Sequence, residues 1–137
     1  LSPNVIDKMQ GVPQSKYAQE HPILTRSLMK KEMPKAQGYM FGMPSRFGTM
    51  PAQVKSLFDG MGEFWKTGAL IGKCAGIFFG SATQGGGQET VALTTIANLC
   101  HLGIVFVPLG YSTKLLSNMD EIHGGSPYGC GTLSKND

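Results

Sequence analysis

The sequence reads as an α/β protein, a parallel sheet carrying helices, and three observations lead there. Short runs that are apolar on both faces, Ala75-Gly76-Ile77-Phe78-Phe79 and Ile104-Val105-Phe106-Val107, have the character of strands buried within a sheet. Between them lie stretches whose apolar residues recur at helical spacing, as alternating strand and helix require. Finally, glycine-rich or proline-bearing loops follow the strand-like runs, where such sheets gather their ligands.

The elements follow in order. Residues 1–35 form a polar N-terminal arm, interrupted by Pro3, Pro13, Pro22 and Pro34. Ser2-Pro3 suits a short helical turn and Pro22 to Glu32 a second short helix. The regular pattern starts at 36 and continues to 137. Tyr39-Met40-Phe41 is a short strand ending at Gly42. Pro51 to Phe64 places Val54, Leu57, Phe58 and Met61 on one helical face, with proline in the first turn. The strand at 75–79 empties through Thr83-Gln84-Gly85-Gly86-Gly87-Gln88-Glu89 into a helix from Val91 to Leu102, whose apolar face is read as Leu93, Ile96, Ala97 and Cys100. Pro108 stops the last strand.

Composition narrows the function. A chain of 137 residues is one domain. Its net charge of +3 resides in the arm, which holds six basic residues against three acids, while the remainder balances at six against six. No basic stripe interleaved with aromatics is present, so nucleic-acid binding lacks support. No apolar run reaches the roughly 18 residues of a membrane span, and no signal peptide opens the chain. Cys74, Cys100 and Cys130 are odd in number and widely spaced, which suits reduced thiols of a cytoplasmic protein. His21, His101 and His123 lack metal-ligand spacing.

The loops carry the chemistry. A strand that passes through glycines into a helix leaves backbone N–H groups unpaired, and the helix dipole adds positive potential. The loop at 83–89 is neither a Walker loop nor a dinucleotide fingerprint, because its glycines are consecutive and no Gly-Lys-Ser/Thr follows. A second loop, Pro44-Ser45-Arg46-Phe47-Gly48, leaves the earlier strand in the same way. Together Arg46, Phe47, Ser81, Thr83, Gln84 and Gly85 make a rim suited to a flat heteroaromatic ring with polar edges. Tyr111, the turn Gly124-Gly125-Ser126-Pro127-Tyr128-Gly129 and Trp65 complete it. No nucleophile with an adjacent base and no acid pair suited to hydrolysis is evident. Simpler roles fit the same residues: packing for Trp65 and Phe47, a plain turn for 85–87, a surface ion pair for Arg46, a structural imidazole for His101. Pattern alone therefore reaches an α/β ligand-binding domain.

A resemblance goes further. Phe41 to Gln53, Phe64 to Leu70, Thr83 to Thr90, Phe106 to Tyr111 and Met119 to Gly129 resemble segments of the WrbA-type flavoproteins, closest in form to fungal members. These are flavodoxin-like, FMN-dependent NAD(P)H:quinone oxidoreductases, and the resemblance is dense from about 36 to 132. It implies a flavodoxin-like parallel sheet sandwiched by helices, incomplete here, with three of that fold's five strands. It implies that Ser45, Arg46 and Phe47 line the flavin ring, and that Ser81, Ala82, Thr83, Gln84, Gly85 and Gly86 bond its polar edge. Trp65 would border the pocket where nicotinamide or quinone stacks, and His101 would reach a flavin pocket in a homotetramer. No side chain is implied as a catalytic acid or base; FMN would supply the chemistry, with NAD(P)H as co-substrate.

Departures shape the expectation. Ala82 stands where that family usually has glycine, so a left-handed backbone there would be strained. Leu102 replaces a second histidine. The family's first strand, phosphate loop, first helix and second strand have no counterpart before Leu1, nor its last helix after Asp137. Losing about three charge-assisted phosphate bonds, at roughly 1.5–3 kcal/mol each, would remove ~5–9 kcal/mol of FMN binding. From the ~12 kcal/mol of a nanomolar site, that leaves micromolar to millimolar affinity. The alternative is thus a truncated, non-catalytic binding or oligomerisation module that holds FMN weakly or not at all.

Overall fold

A computed structural model describes residues 26–134; the helical turn expected at Ser2-Pro3 and most of the arm lie outside them. The chain divides between Met33 and Pro34. On the N-terminal side, helix α1 runs Arg26–Glu32, the latter part of the helix expected from Pro22.

The second unit carries the sheet. Strand β1 spans Gly38–Pro44, longer at both ends than the apolar run 39–41. At its entry the Lys73 ammonium donates to the carbonyls of Pro34 (2.8 Å) and Ala36 (2.6 Å). Helices α2 (Ala52–Asp59) and α3 (Gly62–Thr67) replace the single helix expected over 51–64. Gly60 caps the first, and Pro51 precedes it in extended conformation instead of opening its first turn. Gly68, at φ 68°, ends the second in the left-handed conformation that glycine adopts most readily. Strand β2 (Cys74–Ser81) leads to helix α4 (Gln88–His101), then β3 (Val105–Phe106) and β4 (Cys130–Leu133).

Every pairing in the sheet is parallel. β1 covers one edge of β2, from Gly38 opposite Cys74 to Pro44 opposite Gly80. The other edge is shared. β3 pairs with Cys74 and Ala75, and β4 with Phe78 to Ser81. Two strands therefore lie end to end in one lateral position, so the four strands fill the three positions expected. The intervening segment, 107–129, leaves the sheet and returns, and its neck is closed by the Gly110 N–H donating to Pro127 O at 2.8 Å.

Both long helices pack on the same face. Phe58 of α2 meets Phe41 of β1 at 5.3 Å between ring centroids. From α4, Val91, Ala92, Thr95 and Leu99 are buried, as are Ala75, Ile77 and Phe79 on β2. The Thr95 hydroxyl donates to Val91 O at 2.7 Å, which lets a polar residue occupy the core without an unsatisfied group. The expected apolar face of this helix is corrected here: Leu93, Ala97 and Cys100 are exposed and Ile96 is half-buried. Small or apolar residues surround most of α4, so spacing alone does not select the buried stripe; contact with β2 does. For α2 the expected face is the observed one, with Phe58 buried and Val54 and Leu57 half-buried, and Met61, just before α3, is buried as well.

The opposite face is open among the described residues. Met40, Phe78 and Val105 are 66%, 46% and 52% exposed. The Phe78 ring lies over Gly42, and the Met40 sulfur sits where a Cβ on Gly76 would approach to 2.7 Å. Glycine thus lets these side chains lie flat across neighbouring strands. Cys74, Cys100 and Cys130 are all free thiols at the surface.

The helix phase makes a direct prediction. Leu99→Ala, at a fully buried site, lowers the unfolding free energy by about 2–5 kcal/mol in urea titration. Leu93→Ala, on the exposed side of the same helix, changes it by no more than ~0.5 kcal/mol.

Candidate functional site

The register of β1 with β2 brings Pro44 level with Gly80, so the two following loops leave the sheet side by side. Their first contact extends the ladder: Ser45 N–H donates to Gly80 O at 2.7 Å. Glycines then allow the loops to touch. A Cβ on Gly87 would stand 2.6 Å from the Gly48 Cα and 2.9 Å from Ser45 Oγ.

The first loop is a tight hairpin. Arg46 N–H donates to Thr49 O at 2.9 Å and Thr49 N–H returns to Arg46 O at 3.2 Å. The central pair, Phe47 at φ 53° and Gly48 at φ 81°, both occupy the left-handed region that such a turn demands. For glycine this is ordinary; for Phe47 it is strained. Its ring is also fully solvent-facing. A strained backbone that presents an aromatic to solvent is a feature of surfaces built for a ligand or a partner.

The second loop is held from below. Ser81 is buried, and its hydroxyl donates to Thr83 O at 2.9 Å. Gly86 N–H reaches the same carbonyl at 3.2 Å. With Thr83 O doubly engaged, the N–H groups of Ala82, Thr83, Gln84 and Gly85 meet no acceptor among the described residues. All four residues are exposed, and Gly85 faces open space. Ala82 keeps negative φ, so the strain anticipated at that position does not arise.

Two cavities flank this loop. One, of about 630 Å³, is lined by Ser45, Arg46, Phe78, Ser81, Ala82 and Thr132. The other, about 720 Å³, adjoins it across the Ala82–Thr83 peptide and includes Thr83, Gln84 and Gly85. Their charges differ: Arg46 borders the first, while Glu89, Asp120 and Glu121 border the second together with His123. Most of the expected ring-lining residues are therefore brought together. Trp65 and His101 are not among them. They share a third groove of about 260 Å³ with Phe58, Asp59 and Asn98, lined by none of the loop residues.

Two residues of this region were not singled out from sequence. Gln88, the first residue of α4, touches three segments through its amide. Only its place directly after the glycines hinted at a role. His123 lies in the Met119 to Gly129 segment of the resemblance, which implies no role for it, and it lacks metal-ligand spacing. Its Nε2 lies 2.9 Å from Asn118 O and its Nδ1 3.1 Å from Gly124 O. Both neighbours are acceptors, so the imidazolium, with two N–H donors, makes both bonds, whereas a neutral ring makes only one. The Gly124 carbonyl foremost, then that of Asn118, holds its pKa above the usual histidine value, with a smaller contribution from the Glu121 carboxylate.

The chain resembles known proteins across nearly its full length. Residues 7–114 match the family described as NADPH-dependent FMN reductase. A quinone-oxidoreductase, QR2, of Triphysaria versicolor is 50% identical over 135 residues, covering 98% of this chain and 62% of that protein. The minor allergen Alt a 7 of Alternaria alternata is 43% identical, covering all of this chain and 65% of that one. In structure, a flavodoxin, WrbA-like protein of Agrobacterium tumefaciens superposes with a TM-score of 0.57 at 23% identity, over 64% of this chain and 55% of that chain. The fold is thus flavodoxin-like. The chain spans a little under two-thirds of the length of these curated relatives. Similarity also reaches into residues 1–35, ahead of the region from about 36 to 132 where the sequence resemblance is dense.

His123 yields a pH prediction. A pKa raised on folding means its contribution to closing the 118–124 loop is complete below about pH 6.5, the unfolded value. It is lost as pH rises through the higher folded value. Ring NMR of His123 should titrate above 6.5, with the Asn118–Gly124 segment loosening in parallel; His123→Gln should abolish that pH dependence.

Proposed function

The chain belongs to the NADPH-dependent FMN reductase family, and on that premise we propose that its two loops hold the isoalloxazine ring of FMN in a protein that reduces quinones with NAD(P)H. One observation carries the reading: loops from the carboxyl ends of adjacent parallel strands meet at Gly48 and Gly87, and the exposed backbone N–H groups of 82–85 have no acceptor among the described residues. This is where open α/β sheets bind ligands. The donor set fits a flavin, since unpaired N–H groups match the carbonyl oxygens and nitrogens along the ring's polar edge. The adjoining cavity of about 630 Å³ has the size of small-molecule sites. The printed name of the Triphysaria relative supports quinone as the electron acceptor.

In this reading Arg46 and Ser45 sit at one border of the ring, Ser81 to Gly86 along its polar edge, and exposed Phe47 over its rim. FMN supplies the two-electron transfer from NAD(P)H to quinone, and the protein supplies binding, orientation and exclusion of water. Trp65 and His101, apart from the loops within one copy, serve the ring site of a neighbouring copy in a homotetramer, with Trp65 against nicotinamide or quinone. The three free surface thiols suit a cytoplasmic setting.

Flavin fluorescence tests this. Titration of FMN should give saturable quenching, and Arg46→Ala should weaken it by about tenfold, equivalent to ~1.4 kcal/mol. NADPH oxidation should require both FMN and quinone and should fall in Trp65→Ala. No quenching up to millimolar FMN by a chain with a folded circular-dichroism spectrum would refute the reading for this chain.

A further inference from the structure

We propose that Gln88 is a positioning residue that fastens the glycine-rich loop to the 118–125 segment, setting both the direction of the ring-binding N–H groups and the wall opposite them. The ring-binding part rests on the flavin reading above; the fastening itself does not.

Both donors of the Gln88 amide and one acceptor position on its oxygen are engaged. Gln88 Nε2 donates to Ser81 Oγ at 2.9 Å and to Thr132 O at 2.8 Å. Its Oε1 accepts the Gly125 N–H at 2.8 Å. The orientation of the amide is fixed by these neighbours: Thr132 offers only a carbonyl, and Gly125 only an N–H. Ser81 has already committed its proton to Thr83 O, so its oxygen accepts. A relay results, from Gln88 through Ser81 to the carbonyl around which the 83–86 turn closes. One side chain thereby joins β2, β4 and the excursion between β3 and β4.

The neighbouring glycines make room for it. A Cβ on Gly124 would lie 3.0 Å from Gln88 Nε2, and one on Gly131 would collide with its Oε1. The 118–125 segment would stand farther out without these close approaches. Because Asp120, Glu121 and His123 of this segment border the cavity beside it, the segment's position also sets which charges face a ligand there.

Two substitutions separate the parts. Gln88→Glu keeps an acceptor for Gly125 and loses both donors; Gln88→Ala loses all three. Amide hydrogen exchange by NMR should show Gly125 protected in wild type and in Gln88→Glu, and at least tenfold faster to exchange in Gln88→Ala. FMN quenching should weaken at least tenfold in both variants, with circular dichroism confirming that each remains folded. Unchanged Gly125 exchange in Gln88→Ala would overturn the fastening. Faster exchange with unchanged FMN affinity, where Arg46→Ala does weaken FMN, would overturn the positioning of the ring loop. If the wild type fails to quench FMN, the flavin reading falls and with it the ring-binding half of this proposal, while the Gly125 exchange still decides the fastening.

Discussion

The parallel pairing of β1 with β2 is the constraint from which the rest follows. Its register sets Pro44 against Gly80, and the ladder then runs one bond past the sheet, from Ser45 N–H to Gly80 O. Side-chain direction alternates along each strand, so this register also assigns the faces. Tyr39, Phe41 and Met43 fall beside Ala75, Ile77 and Phe79 under the helices; Met40 and Gly42 fall beside Gly76 and Phe78 in the open. A slip by one residue would exchange the two sets and part the loops.

Above that frame the site is made largely of backbone. Gly48 and Gly87 permit contact between loops, and Ser81 ties the turn of the second loop at Thr83 O, where the N–H groups of 82–85 are left without an acceptor among the described residues. Such groups are fixed dipoles that need no reorganisation when a ligand arrives, which is how a rigid loop prepares a polar edge. The one non-glycine residue at positive φ among the described residues, Phe47, stands at the tip of the other loop with its ring in solvent. Strain of that kind persists where surrounding bonds enforce it, here the reciprocal pair between Arg46 and Thr49.

The second edge of β2 has a different logic. β3 and β4 share one lateral position, and the chain between them is released to build a wall. The excursion is narrow at its base, where Gly110 bonds Pro127, and pinned near its end by Gln88. His123 closes it internally with a charge-dependent pair of bonds. The wall thus hangs from the sheet by a few polar contacts, in contrast to the packed helices on the covered face.

The sequence by itself determined the fold class, the location of the loops and most of the residues on them. Val-, Ile- and Phe-rich runs announce strands, consecutive glycines announce a turn, and Pro51 marks a helix start, all through local physics. What was invisible depended on neighbours distant in the chain. Leu93 and Leu99 have the same hydropathy, and only contact with β2 decides which is buried. Cys130 to Leu133 carries too little apolar character to read as a strand; pairing with Phe78 to Ser81 makes it one. Gln88 looks like any polar helix start until Thr132 and Gly125, about forty residues away, arrive at its amide. Trp65 and His101 lie far apart in sequence from each other, and only the packing of the helices brings them to one groove. Local chemistry writes the elements, and tertiary contact decides which faces and which polar groups meet.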